Sequence, residues 1–260
     1  MTPRRHDAGG PPLTGPESRV EAYRAARGAV LDRIADACAL AGRDPGEVTL
    51  VAVSKTVQPD ALRDAVAAGL DLLGENRVQE GAAKAPDVPG ARWQLVGPLQ
   101  SNKVRRALEV FKSIQSVDSV ELAQRLDRLV PEVRPGGRYP ILVQVNVDLD
   151  PAKAGLAPAE LDRALGALLE LPNLTVGGLM TVGRLTSDPA EARRTFRELR
   201  SLSERYRVRR PGLGPALSMG MSDDFDVAVE EGATIVRVGR ALFGERDLGQ
   251  GDERRPGHTP

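Results

Sequence analysis

The chain has 260 residues, of which 41% are hydrophobic, and its 36 basic and 36 acidic residues give a formal net charge of zero. This balance lacks the basic footprint of a nucleic-acid-binding protein. No apolar run has the length of a membrane span or the position of a signal peptide. The single cysteine, Cys38, leaves no partner for an intramolecular disulfide and favours a cytoplasmic protein.

The two histidines, His6 and His258, lie in a Pro/Gly-rich head and a polar tail. Residues 1–16 and 247–260 are predicted to be disordered tails, because proline, glycine and polar residues dominate them. Metal ligation or acid–base chemistry by histidine is therefore not expected. Any chemistry would rest on lysine, arginine, carboxylates or a cofactor.

Between these tails, apolar residues recur at helical spacing over 18–41, and Gly42 ends that helix. Short apolar runs then alternate with longer amphipathic stretches, which indicates parallel strands joined by helices. The predicted strands are 48–55, 71–75, 93–97, 113–117, 140–147, 174–181, 215–220 and 234–239. The predicted helices lie near 59–69, 77–84, 101–110, 119–130, 158–170, 189–206, 222–231 and 240–243.

This alternation over 17–246 predicts an α/β fold, a single (β/α)8 TIM barrel with an extra N-terminal helix. An open doubly wound sheet is the alternative, but no Gly-x-Gly-x-x-Gly follows the first strand. In a TIM barrel the functional site lies at the carboxyl ends of the strands. The residues at those ends are therefore the candidate site residues.

Lys55 ends the most apolar run of the chain, which begins at Val48. An ammonium beside a dry strand is costly unless it is paired or neutralised. One use for it is a covalent imine with an aldehyde, because burial lowers the pKa of an amine and frees it as a nucleophile. The alternative is a lysine whose head simply reaches solvent.

The ends of strands seven and eight have the composition of a phosphate cradle. Gly220 and Ser222 precede one helix, while Gly239 and Arg240 open the next. Exposed N–H groups at a helix start favour an anion, and the loops after strands seven and eight are the recurrent phosphate position in TIM barrels. The alternative for Ser222 is an ordinary cap of the helix that follows it.

Two further polar residues lie on a strand or directly after one. Arg237 is a charge within a buried strand and needs a partner, either a carboxylate of a neighbouring strand or the nitrogen of a bound heteroaromatic ring. Asn76 follows the second strand, where it could be a turn residue.

Six segments at the strand ends form a characteristic set. They are 52–56 (AVSKT), 74–80 (GENRVQE), 97–103 (GPLQSNK), 178–180 (GLM), 218–224 (SMGMSDD) and 236–239 (VRVG). Together they resemble the pyridoxal-phosphate homeostasis proteins (YggS/PROSC type), and the resemblance spans residues 20–246. It implies a fold type III barrel, like the N-terminal domain of alanine racemase, that binds pyridoxal 5'-phosphate (PLP) through a lysine imine.

The resemblance also implies which residues bind the aldehyde and the phosphate of the cofactor. Lys55 would carry the imine. Ser222 and Gly239, with the backbone around Gly220 and Arg240, would hold the phosphate.

Around the ring of the cofactor, the resemblance implies that Arg237 faces the pyridine nitrogen and that Asn76 lies beside the ring. Met219 and Met180 would supply an apolar wall. One departure is Gln94, at a position where the family usually has a histidine, and it removes a titrating side chain from that position.

The resemblance implies a carrier and regulator of PLP in the cell, without established catalysis, with PLP-dependent apo-enzymes as candidate recipients. The alternatives are a weak amino-acid racemase and a Schiff-base aldolase. A racemase would need a tyrosine base from an additional β domain, which the chain is expected to lack, and Tyr23, Tyr139 and Tyr206 do not follow strands. A monomer is expected, because no heptad pattern or long exposed apolar edge is evident.

Overall fold

The computed structural model describes residues 16–183, 186 and 188–244. The tails predicted over 1–16 and 247–260 lie outside this part of the chain, except for Pro16, which begins the first helix. His6 and His258 also lie outside it.

The described residues form eight parallel strands that close into one barrel in chain order. The closing pair joins the first and last strands, with Ala52 in register with Val238. The strands are β1 (Thr49–Val53), β2 (Leu72–Glu75), β3 (Arg92–Leu95), β4 (Ser113–Val117), β5 (Tyr139–Gln144), β6 (Leu174–Met180), β7 (Ala216–Ser218) and β8 (Ile235–Val238). The predicted TIM barrel is confirmed, and the open sheet is excluded.

Nine α-helices lie in the described part of the chain. They are α1 (Pro16–Ala41), α2 (Pro59–Ala67), α3 (Val78–Lys84), α4 (Val104–Val110), α5 (Val120–Val133), α6 (Leu161–Leu169), α7 (Pro189–Arg209), α8 (Phe225–Glu230) and α9 (Arg240–Phe243). The extra N-terminal helix is α1, and α2 to α9 each follow one strand. Residues 101–103 and 158–160, predicted as α-helix, are 3-10 turns that lead into α4 and α6.

Most strands are shorter than predicted, because polar and glycine residues at their carboxyl ends leave the ladder and turn into the following loop. After β1, the N–H of Ser54 still bonds to the carbonyl of Gly74 at 2.9 Å, but Lys55 lies in a turn. Helix α8 begins at Phe225, later than predicted, because 221–224 form a separate turn closed by the bond from the Phe225 N–H to the Met221 carbonyl at 2.9 Å. Lys55 and Ser222 therefore lie in loops at the carboxyl end of the barrel.

Helix α1 covers the seam where the barrel closes. It packs against α2, α8 and α9, and buries one face that includes Val30 and Ile34. Arg33 lies over the ring of Phe225 at 4.1 Å, and Tyr23 meets Phe243 edge to face at 5.6 Å. These contacts fix the helices that follow β7 and β8 beside the helix that follows β1.

Among the described residues, no helix has both the length and the apolar character of a membrane span.

The ends of β2 and β3 touch at Gly97, which gives a test of the fold. A Cβ there would lie 2.3 Å from the backbone oxygen of Asn76, so we expect Gly97→Ala to lower the free energy of unfolding by about 2 kcal/mol or more. The control is Gly28→Ala in α1, where a Cβ meets nothing within 4 Å. Because alanine favours a helix more than glycine does, this variant should raise the free energy of unfolding by about 0.5–1 kcal/mol. Urea unfolding measures both. Equal effects of the two variants would contradict the packing described here.

Candidate functional site

Lys55 lies in the turn that follows β1, at the carboxyl end of the barrel, and its side chain is half-buried. The turn is tight, since the Val57 N–H bonds to the Ser54 carbonyl at 3.0 Å. Thr56 has a φ of +68°, in the left-handed region that a β-branched residue seldom occupies. The backbone on both sides of the lysine is thus fixed by the fold.

The loops after β7 and β8 are joined through the side chain of Ser222. Its Oγ accepts the backbone N–H of Gly239 at 3.2 Å and that of Ala241 at 3.5 Å. The hydroxyl therefore lies at the start of α9. The alternative, in which Ser222 caps the helix that follows it, is wrong, because Asp224 occupies the cap position of α8.

Two glycines let these loops pack closely against neighbouring parts of the barrel. Gly220 has a φ of +88°, and a Cβ there would lie 2.6 Å from the Cβ of Ala228. A Cβ on Gly239 would lie 3.2 Å from the carbonyl oxygen of Val53 in β1. Since α8 and α9 are both short, any anion here would depend on individual N–H groups more than on a helix dipole. Gly220, Ser222 and Gly239 thus form a cradle beside β1.

Arg240 opens α9 at the rim of this cradle, and its guanidinium forms an ion pair with Asp223. Both side chains are more than half exposed, at 53% and 57%. An exposed pair of this kind adds little stability, so the arginine can exchange its partner for another anion at small cost.

Arg237 points into the barrel from β8 and is buried. Its Nη1 donates to the Oγ of Ser218 at 2.6 Å, and its Nη2 donates to the carbonyl oxygen of Thr181 at 2.8 Å. Burial lowers the pKa of Arg237 to about 10, and the nearby carboxylate of Asp224 opposes this shift. The guanidinium therefore keeps its charge at neutral pH while both hydrogen bonds go to uncharged oxygens.

A chain of hydrogen bonds runs from Arg237 across the interior of the barrel. Ser218 Oγ donates to Gln115 Oε1 at 2.6 Å, and Gln115 Nε2 donates to Gln94 Oε1. Gln94 thus ends a chain of hydrogen bonds through the neutral side chains of Ser218 and Gln115.

The remaining predicted residues surround the same end of the barrel. Asn76 directly follows β2 and is half-buried. Met219 follows β7, and Met180 ends β6, and both are fully buried. The fold thus places every predicted site residue on or just beyond a strand end.

Sequence reasoning missed one group of charged residues next to Lys55. Lys84 in α3 is buried and donates to Glu75 Oε1 at 2.8 Å and to Glu80 Oε1 at 2.7 Å. Burial raises the pKa of Glu75, although the bonds from Lys84 and Ser54 oppose the shift. The signal was the spacing of four between Glu80 and Lys84, which places both on one helix face.

The chain is similar to known proteins over most of its length. A family model described as the N-terminal domain of alanine racemase matches residues 29–247. The pyridoxal phosphate homeostasis protein of Pseudomonas aeruginosa is 45% identical over 224 residues, which cover 85% of this chain and 94% of that protein. The protein of the same name from Aquifex aeolicus is 40% identical over 219 residues, which cover 84% of this chain and 95% of that one.

The chain belongs to the pyridoxal phosphate homeostasis protein family. Among solved structures, PipY of Synechococcus elongatus with PLP bound matches with a TM-score of 0.72 and 42% identity, covering 83% of this chain and 100% of that one. Alanine racemase of Corynebacterium glutamicum matches with a TM-score of 0.62 and 19% identity, covering 89% of this chain and 62% of that one. That likeness shows the shared barrel alone. The family resemblance drawn from the strand-end motifs is confirmed.

The network around Arg237 gives a test of the site's architecture. Ser218→Ala would leave an Arg237 N–H and a Gln115 oxygen buried without this partner, so we expect a loss of about 1–3 kcal/mol in the free energy of unfolding. The control is Ser113→Ala at the start of β4, expected to change it by about 0.5 kcal/mol or less. Urea denaturation checks both values, and a neutral Ser218→Ala would contradict the network.

Proposed function

We propose that this protein binds pyridoxal 5'-phosphate covalently through Lys55 and serves in intracellular PLP homeostasis, without catalysing a reaction of its own. One observation carries the proposal. Barrel closure sets Gly239, at the cradle, against the carbonyl of Val53, two residues before Lys55. An amine and a candidate phosphate site therefore flank one another at the carboxyl end of the barrel.

The chemistry of the cradle suits a phosphate. Gly220 and Gly239 let the loops after β7 and β8 pack closely against Ala228 and Val53, which brings the backbone of both loops to one end of the barrel. The Ser222 hydroxyl and the N–H groups at the start of α9 are hydrogen-bonding groups of the kind that hold phosphate. Arg240, held loosely by Asp223 at the rim, adds a positive charge.

The proposed division of roles follows from these contacts. When bound, PLP would supply an aldehyde for condensation with the amine of Lys55, with loss of one water molecule. Ser222, Gly239 and the backbone near Gly220 and Arg240 would orient the phosphate. Asn76 would lie beside the ring, with Met219 and Met180 as the apolar wall.

Arg237 is the residue that favours a carrier over an enzyme. If it faces the pyridine nitrogen, its retained positive charge disfavours protonation of that nitrogen and weakens the ring as an electron sink. The names of the relatives, pyridoxal phosphate homeostasis proteins, support the same function, as does the PLP bound to PipY.

The positions of the tyrosines give no support to racemase chemistry in the described residues. Tyr139 begins β5 at the opposite end of the barrel, where its hydroxyl donates to the carbonyl of Phe111 at 2.9 Å. Tyr23 lies in α1 and Tyr206 in α7, both on the outer layer.

We further propose that residues 17–246 act as one PLP-binding unit. In this proposal the protein is a cytoplasmic monomer, and its recipients are PLP-dependent apo-enzymes.

The central prediction concerns colour. We expect the purified protein, supplied with PLP, to be yellow, and Lys55→Ala to lose the visible band because it lacks the amine. Lys112→Ala is the control, since Lys112 is an exposed lysine just before β4. Borohydride should bleach the band and leave an adduct that mass spectrometry locates on Lys55.

A colourless protein that takes up no PLP at excess would contradict the proposal. A colourless protein that forms a borohydride-trapped adduct with a carbonyl substrate instead would favour the aldolase alternative. Interconversion of L- and D-amino acids by the yellow protein would favour the racemase.

A second prediction concerns the cradle. Ser222→Ala should weaken PLP binding by about 1–3 kcal/mol, because a hydrogen bond to a charged phosphate is lost. Ser119→Ala is the control, since Ser119 also caps a helix through its hydroxyl, but at α5. Titration of cofactor-free protein measures both, and equal affinities for the two variants would show that the Ser222 hydroxyl serves only the N–H groups at the start of α9.

A further inference from the structure

Three charged residues form a cluster behind the turn that carries Lys55. The cluster consists of Glu75 at the end of β2 and of Glu80 and Lys84 in α3. Besides its bonds to the two carboxylates, Lys84 Nζ donates to the backbone carbonyl of Ser54 at 2.9 Å. The side chain of Lys84 is 9% exposed and that of Glu75 is 0% exposed. The contacts of the lysine thus reach the residue directly before Lys55.

The two carboxylates of the cluster also contact the turn. Ser54 Oγ donates to Glu75 Oε1 at 2.8 Å, and the backbone N–H of Thr56 donates to Glu80 Oε1 at 2.6 Å. The cluster therefore holds the residue on each side of Lys55. Ser54 is bonded to Glu75 and Lys84, and Thr56 is bonded to Glu80.

The conformation of Thr56 shows that the turn is imposed. A β-branched residue at a φ of +68° is strained, and this conformation persists only where its surroundings fix it. The acceptor that meets its N–H is Glu80. The cluster supplies the bond that opposes relaxation of the turn.

The cluster is a poor device for stability alone. Buried ion pairs often contribute less than well-packed apolar residues of similar volume, because their desolvation is costly. Glu75 Oε2 is buried without a hydrogen-bond partner among the described residues, which adds to that cost. A role in holding the turn explains why charges lie here.

We propose that Glu75, Glu80 and Lys84 are positioning residues that fix the backbone around Lys55 and thereby aim its amine into the site. This inference rests on the proposed function, in which that amine binds PLP. The cluster acts through the backbone of Ser54 and Thr56, and its members are assigned no contact with the cofactor.

The test uses Glu80→Met, which removes the acceptor for the Thr56 N–H, and Lys84→Met, which removes the ammonium. Glu80→Gln is the conservative variant, because its amide oxygen can still accept that N–H. Glu109→Met is the matched control, since Glu109 forms an ion pair with Arg106 on α4, far along the chain from the turn.

The first readout needs no cofactor. Protein stripped of PLP with hydroxylamine is treated with limiting acetic anhydride, and mass spectrometry gives the acetylation of Lys55 relative to Lys112 in the same sample. We expect Glu80→Met and Lys84→Met to raise this ratio by about 3- to 10-fold, because the released turn exposes the amine. Glu80→Gln and Glu109→Met should stay near the wild-type ratio.

The second readout is PLP affinity, followed at the visible band. We expect about 10-fold weaker binding in Glu80→Met and Lys84→Met, and recovery in Glu80→Gln. Folded Met variants that keep both the wild-type labelling ratio and the wild-type affinity would overturn the inference. If Lys84→Met does not fold, Glu80→Met decides, because the Glu80 side chain is 25% exposed and its replacement leaves no fully buried group without a partner.

The two proposals fail in different ways. A wild-type chain that takes up no PLP, together with variants in which Lys55 labelling rises, would reject the proposed function and uphold the positioning of Lys55. A wild-type chain that binds PLP, with variants that change neither readout, would uphold the function and reject the positioning.

Discussion

The parallel pairing of β1 with β8 is the constraint on which the site depends. It joins the first strand of the barrel to the last, with Ala52 opposite Val238. Helix α1 covers this seam on the outside. Because the seam is closed, the turn of Lys55 and the loop of Gly239 meet at one edge of the barrel. An open sheet would leave the amine and the cradle on strands that do not touch.

Two buried cations lie near this seam, and the fold holds them by opposite means. Arg237 bonds to uncharged oxygens and keeps its positive charge inside the barrel. Lys84 is surrounded by the carboxylates of Glu75 and Glu80, so its charge is offset. The net charge of Arg237 is available to the cofactor ring under the proposed function. The charge of Lys84 is offset by carboxylates, and its bond to the Ser54 carbonyl holds the backbone beside Lys55.

The sequence predicted the barrel and proposed a set of site residues at the strand ends, because both follow from local patterns. Alternating apolar runs and amphipathic stretches mark the strands and helices. Lys55, Ser222 and Gly239 can be recognised because they lie at or just after predicted strand ends. The partners of these residues could not be predicted. The bond of Ser222 to the start of α9 depends on how two loops fold back, and the contact of Lys84 with Ser54 depends on a turn with an unusual φ. Such contacts join residues that no periodicity relates.

The most direct test of the account is a crystal structure of this chain grown with PLP. The account predicts continuous electron density from Nζ of Lys55 to the cofactor, with the phosphate against Ser222 and Gly239 and with Arg237 facing the ring nitrogen. Density for the cofactor on another lysine, or a phosphate outside the loops that follow β7 and β8, would contradict it.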